Sequence, residues 1–294
     1  MAEQGLKVIN KLCSVKTSSY PEILSEEKNT ENMESKRLEN SPIMYFISGK
    51  EHPEWVLFIH AAFVNHNMFR TQFDYFRDRY NVMAVDIIGH GQSTDTQKGD
   101  SIDKMSEWIF AVLQAEHIEK IHIVGVSLGA VLAQDFANHY PDCVSSLACF
   151  GGYDVNNFDV NMQKENGAKQ MLMMLKAIFS VKWFAKENRK ISAHTVQAQN
   201  EFYDMNILFP KKSFMYLASL DSMVNKHQTG TRKYPLLIGC GEFDIPMELE
   251  AVKQWKLSEP DCETVIFKNA GHCVNMDVPQ QFNESLEKFW MRAE

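Results

Sequence analysis

An α/β architecture, with a mostly parallel, doubly wound sheet of about eight strands, is predicted for this chain by three observations. Short β-branched, apolar runs alternate with segments of helical period along most of its length. One run, Ile121-His122-Ile123-Val124-Gly125-Val126, leads straight into Ser127-Leu128-Gly129 and then a helix-period stretch to Phe136. Two later runs end in loops that carry Asp244 and His272, and the ends of parallel strands are where ligands meet reactive groups in open α/β sheets.

Taken in order, strands are predicted near 43–47, 55–61, 81–87, 120–126, 144–150, 235–241 and 262–268, after a poorly patterned first strand around Met33 to Leu38. Helices are predicted near 67–79, 103–117, 128–139, 247–257 and 280–292, with Pro141 closing the third of these regions. Residues 1–30 break the alternation: a short apolar-periodic piece (Leu6, Val8, Ile9, Leu12) precedes the polar run Ser25 to Asn32. This segment reads as a surface extension, and it is the candidate for a homodimer contact. Residues 31–152 and 229–294 form the expected core. Between them, residues 153–228 are far too long for a loop, and read as helices over Gln170–Phe179, Ile191–Asn200 and Ser213–Met223. Of the 16 methionines, seven fall there: Met162, Met171, Met173, Met174, Met205, Met215 and Met223. Methionine fills irregular apolar space. A stripe of such residues glues helices together, and as a surface it suits a pliable apolar ligand.

Composition bounds the partners. Hydrophobic residues make up 45% and charged residues 23%, ordinary for a globular protein. No run approaches the ~18 uninterrupted apolar residues of a membrane span. The start, Met-Ala-Glu-Gln-Gly-Leu-Lys, has no basic region followed by an apolar one, so no secretory signal is read. The formal net charge of −8 argues against a nucleic-acid partner. Six cysteines (13, 143, 149, 240, 262, 273) show neither metal-ligand nor disulfide-framework spacing, which fits a reducing cytoplasm. Cys149 and Cys240 lie in strands expected to be buried, where cysteine is a small hydrophobe.

The chemistry follows from the strand–turn–helix context of Gly125-Val126-Ser127-Leu128-Gly129. A serine at that turn is held in a strained backbone conformation with its hydroxyl projecting. Side chains at Gly125 and Gly129 would collide with the neighbouring strand and helix. A nucleophilic serine needs a base, and the base needs an orienting acid. Asp244 stands just past the run Leu236–Gly241, and His272 just past Val265–Phe267, so serine, acid and base fall at three strand ends in the chain order Ser, Asp, His.

These segments resemble the α/β-hydrolase fold family, in its lidded serine esterase and lactonase branch. The resemblance spans residues 33 to 293. Besides the three segments above, Phe58-Ile59-His60-Ala61-Ala62-Phe63 is similar to the family's His-Gly-x segment after the third strand. Asp86-Ile87-Ile88-Gly89-His90-Gly91-Gln92-Ser93 is similar to its D-x-x-G-x-G-x-S turn. Asn269-Ala270-Gly271-His272 through Pro279, Phe282 and Phe289 is similar to its ending.

The resemblance implies a helical lid at 153–228 over the serine, a Ser127–His272–Asp244 triad, and an oxyanion hole from the backbone N–H groups of Leu128 and Ala62. It implies cleavage of a carboxylic ester or lactone through an acyl-enzyme, with no metal or organic cofactor. The substrate is a small, apolar molecule, with Phe63 and Met174 as candidate contacts. A serine nucleophile argues against the family's dehalogenases and epoxide hydrolases, which use aspartate. C–C bond or thioester hydrolysis is the alternative chemistry, and a non-catalytic small-molecule receptor is the alternative class. The chain departs from the family at Ala61, where glycine is usual; a methyl there restricts the oxyanion loop. His60 and His90 read as loop-shaping residues, and Asp86 as a turn-former. Asp154, one strand earlier, is the rival to Asp244 for the acid.

Overall fold

The computed structural model describes residues 33–49, 51–158, 180–217, 220–225 and 232–293. The expected extension at 1–30, the helix expected at 170–179 and the candidate contact Met174 lie outside the described residues.

Eight strands form one sheet: β1 (Glu34–Arg37), β2 (Met44–Ser48), β3 (Trp55–Ile59), β4 (Asn81–Val85), β5 (Ile121–Val126), β6 (Val144–Phe150), β7 (Leu236–Gly241) and β8 (Glu263–Phe267). Their spatial order is β1-β2-β4-β3-β5-β6-β7-β8. β1 and β2 pair antiparallel, as do β2 and β4; every later pairing is parallel. The poorly patterned first strand is real. Among the described residues it pairs on one side only, so it needs no two-faced apolar run.

Both faces of the central strands are buried, and alternate side chains go to opposite layers. From β3, Leu57 and Ile59 join a cluster with Ile123, Val131, Leu132 and Phe136. That layer is built by α2 (Met105–Ala115) and α3 (Leu128–His139). Phe58 points the other way, 4.9 Å from Phe69 and 6.2 Å from Phe76. There it meets α1 (Arg70–Phe76) and the C-terminal helix, whose Trp290 lies 5.0 Å from Phe76 and whose Phe282 lies 4.7 Å from Phe150. Aromatic side chains of this size, fully buried, each contribute roughly 2–3 kcal/mol of transfer free energy.

The segment between β6 and β7 departs from expectation. Instead of one helix at 191–200 there are two, α4 (Val181–Ser192) and α5 (Val196–Asn206), broken at Ala193 to Thr195. The far side of the break is capped locally. Thr195 is the N-cap of α5, and its hydroxyl accepts from the Ala198 N–H. The expected helix at 213–223 is a short α6 (Phe214–Leu217) flanked by 3-10 turns. Of the remaining helices, α7 (Pro246–Ser258) and α9 (Pro279–Ala293) lie close to expectation, and the short α8 (Val274–Asp277) was not expected.

Candidate functional site

Ser127 sits between β5 and α3 with φ 56° and ψ −117°. This left-handed conformation costs a non-glycine residue of order 1–3 kcal/mol. Packing enforces it. A methyl on Gly125 would lie 2.3 Å from the Gly129 carbonyl oxygen, and one on Gly129 would lie 1.9 Å from the Ile59 oxygen. Only glycine at both positions lets helix α3 start this close to β3 and β5. The Ser127 N–H donates to Phe150 O at 2.8 Å, which ties the turn to the end of β6.

His272 arrives from the loop after β8. Its Nδ1 donates to the Asp244 carboxylate, at 3.0 Å to Oδ1 and 3.2 Å to Oδ2. Asp244 follows β7 and is sealed from solvent, while the imidazole keeps 16% exposure. Burial alone would push the His272 pKa down; the Asp244 charge and its hydrogen bond outweigh this, and Glu248 adds to them, raising it to about 9. The imidazole lies against Gly151, where a methyl would come within 3.0 Å of Nδ1, and Gly152 lies against Ser127 O. Serine and imidazole thus share one short stretch of backbone at the end of β6. Asp154 does not join them: its carboxylate accepts from Asn156 N and Ser258 Oγ.

On the β3 side, the start of α3 abuts the loop that carries Ala62, since a Gly129 methyl would also approach His60 O. His60 braces this loop. Its Nε2 accepts from Ile87 N at 3.0 Å and its Nδ1 donates to Ala61 O at 2.8 Å. That pattern fixes a neutral tautomer, and burial pushes its pKa down to about 4. The loop-shaping reading of His60 therefore stands. His90 is likewise fully buried, with Nδ1 on Ile88 O. Asp86 is a bracket, not an acid of the site: its carboxylate accepts from His66 N, His66 Nδ1 and Gln92 N.

In the loop that carries Ala61, the left-handed backbone conformation is that of Phe63, with φ 70°. The Ala61 N–H is directed at Met68 Sδ, 3.3 Å away. The Phe63 ring is walled in by Phe184, Phe209 and Phe214, with centroids 4.9, 5.3 and 5.5 Å away. These three come from α4, from the chain after α5, and from α6.

A strained serine after the central strand, a histidine after the last and an aspartate between them, on this sheet order, decide the family. A model of the family described as alpha/beta hydrolase fold matches residues 54–199. The chain belongs to the α/β-hydrolase fold family. The (E)-2-((N-methylformamido)methylene)succinate hydrolase of Acinetobacter baylyi is 22% identical over 258 residues, covering 86% of this chain and 95% of that protein. A carboxylesterase structure from Nitrososphaera gargenis superposes with a TM-score of 0.73 at 15% identity, covering 88% of this chain and 98% of its own. A thermophilic esterase from Thermogutta terrifontis gives 0.71 at 16% identity, covering 89% and 98%. At these identities the structural likeness is one of fold.

Two residues of this hydrolase fold escaped the sequence reading. Asp277 accepts from Gly271 N, His194 N, Thr195 N and Thr195 Oγ1 at 2.7–2.9 Å. It binds the break between α4 and α5 to the residue before His272, and Cys273 N reinforces the joint by donating to Ser192 O. Glu248, in the first turn of α7, is only 5% exposed. The one available signal was weak: an acid just before Val278-Pro279, and another just after Pro246. Among the described residues no group of three or more His, Cys, Asp or Glu could hold a metal ion, and no helix is long and apolar enough to cross a membrane.

Proposed function

We propose that the protein is a serine hydrolase that cleaves a carboxylic ester or lactone through an acyl-enzyme. The observation that carries this reading is the strained backbone of Ser127 at the strand–helix turn. Holding a serine at φ 56° against two glycines has no evident purpose in packing and a direct one in exposing a nucleophile. In this reading His272 takes the Ser127 proton through Nε2, because Nδ1 is committed to Asp244. The serine oxygen attacks the carbonyl carbon. Asp244 holds the tautomer and stabilises the imidazolium that forms. The N–H of Leu128, a first-turn helix donor with no intrahelical acceptor, and the N–H of Ala62 receive the developing oxyanion. His272 then protonates the leaving group, and water releases the acyl group.

The segment 153–228 acts in this reading as a lid, and the aromatic wall of Phe63, Phe184, Phe209 and Phe214 supports an apolar acyl or ring group beside the oxyanion loop. The relative from Acinetobacter baylyi, named for an N-methylformamido substrate, favours a second reading in which the bond broken is C–N. There His272 would protonate a leaving nitrogen.

Labelling with a fluorophosphonate probe, followed by mapping of the adduct by mass spectrometry, tests the reading without knowledge of the substrate. A single adduct on Ser127, lost in Ser127→Ala and weakened in His272→Ala, is expected. A folded protein that takes no label would leave a ligand-binding role on a hydrolase scaffold. Matched ester, lactone and amide panels then separate the two bond types.

A further inference from the structure

Glu248 is a buried carboxyl for which the triad mechanism has no use. It is the third residue of α7, with Ile245 as N-cap. A glutamate at that position ordinarily reaches back to the N–H of the cap residue. Here that N–H is taken: Ile245 N donates to Asp244 Oδ1 at 2.8 Å. The side chain turns inward instead, and its Oε2 is enclosed without a hydrogen-bond partner among the described residues. The groups that act on it electrostatically are His272, from the loop after β8, and Asp244, from the loop after β7; in turn it acts on the Cys240 thiol of β7. No lysine or arginine is among them.

We propose that Glu248 is a positioning residue of this site: its enclosed, unpartnered carboxyl, in the first turn of the helix that follows Asp244, sets the charge that the Asp244–His272 pair experiences. The proposal rests on the catalytic reading of Ser127, Asp244 and His272. Burial drives the Glu248 carboxyl up to about 7, against the pull of His272 and with the push of Asp244. Below that pH the group is a neutral acid, and the imidazolium has one carboxylate neighbour. Above it Glu248 gives its proton to solvent, and a second negative charge stabilises the imidazolium. The base is then released only at higher pH. The two groups titrate as a coupled pair.

Two measurements test this. The rate of fluorophosphonate labelling at Ser127, followed from pH 5 to 10, reads the free base; the ring resonances of His272, identified by their loss in His272→Gln, read its protonation without any turnover. Glu248→Gln is expected to move both midpoints down by about one pH unit, a tenfold fall in proton affinity. Glu248→Asp, which keeps the charge, restores most of the difference. Unchanged midpoints in folded Glu248→Gln overturn the proposal, since a merely structural role would alter stability and leave them in place. Should that variant fail to fold, the unmodified protein decides: its His272 resonances are expected to show two inflections, and a single-step curve overturns the proposal. Absence of labelling at every pH would instead remove the catalytic reading, and the resonance midpoints would still judge Glu248.

Discussion

Ser127 and Asp244 depend on neighbours of opposite kinds. Ser127 is held by exclusion, because the atoms around Gly125 and Gly129 leave no room for a side chain. Asp244 is held by bonding, to Ile245 N and to the imidazole. Gly129→Ala should therefore cost about 3 kcal/mol, read from the denaturant midpoint, because its methyl has only backbone to push against. Asp244→Asn keeps the shape and loses the charge. It is expected to leave stability near that of the parent and to lower kcat by about 10⁴-fold on any ester the protein turns over, as imidazole tautomer control is lost. A fall of less than tenfold would show that the carboxylate does not orient the base. At this scale the sequence was informative where function is local. Ser127 and its glycines lie within five residues, so the turn could be read directly. The strain at Phe63 could not be, because it is the aromatic wall from 184, 209 and 214 that encloses that ring, and nothing local announces it.

Among elements, strands β2 to β7 were legible because each is a short apolar run bounded by turn residues, and burial on two faces leaves that signature; β8 was legible from its β-branched run alone. The segment between β6 and β7 was less so. Its helices α4 and α5 are divided by hydrogen bonds to Asp277, more than 80 residues away, and no periodicity encodes a distant acceptor. The same carboxylate holds Gly271, so it joins this segment to the loop that presents His272. Replacing Asp277 with alanine strands three backbone N–H groups at once, that of Gly271 buried. A loss of about 3 kcal/mol is expected, together with new protease cleavage at 193–195 under native conditions. An unchanged cleavage pattern would mean that the joint is held elsewhere.

For the molecule as a whole, stability against pH follows from groups whose proton affinity folding changes. His60 and His90, lowered by burial to about 4 and about 3, bind fewer protons folded than unfolded, so between those values and 6.5 stability rises with pH. Glu248, raised by burial from 4.5 to about 7, works the other way across that interval. His272 is raised from 6.5 to about 9, so its contribution is complete below 6.5 and is lost as pH climbs through 9. Below 6.5 the two histidines rise against Glu248 and Asp154, whose carboxyl burial also raises, and above it only falling groups act, which gives an expected maximum in melting temperature near pH 6.5. A Tm that climbs steadily from pH 6.5 to 9 would contradict a His272 held protonated by Asp244.

The strand order has a kinetic corollary. Ser127 hangs from β5, which has neighbours on both sides, whereas His272 hangs from β8, which among the described residues is paired only with β7. A border strand frays before an interior one. The assembly of serine and imidazole is thus the least cooperative part of an otherwise cooperative body, able to come apart while most of the sheet stays intact. In a urea titration, probe reactivity should vanish at a lower concentration than the far-ultraviolet dichroism of the sheet, and amide exchange should be faster in β8 than in β5. The protein's capacity to react would then report on the integrity of its rim, and its spectrum on the integrity of its centre.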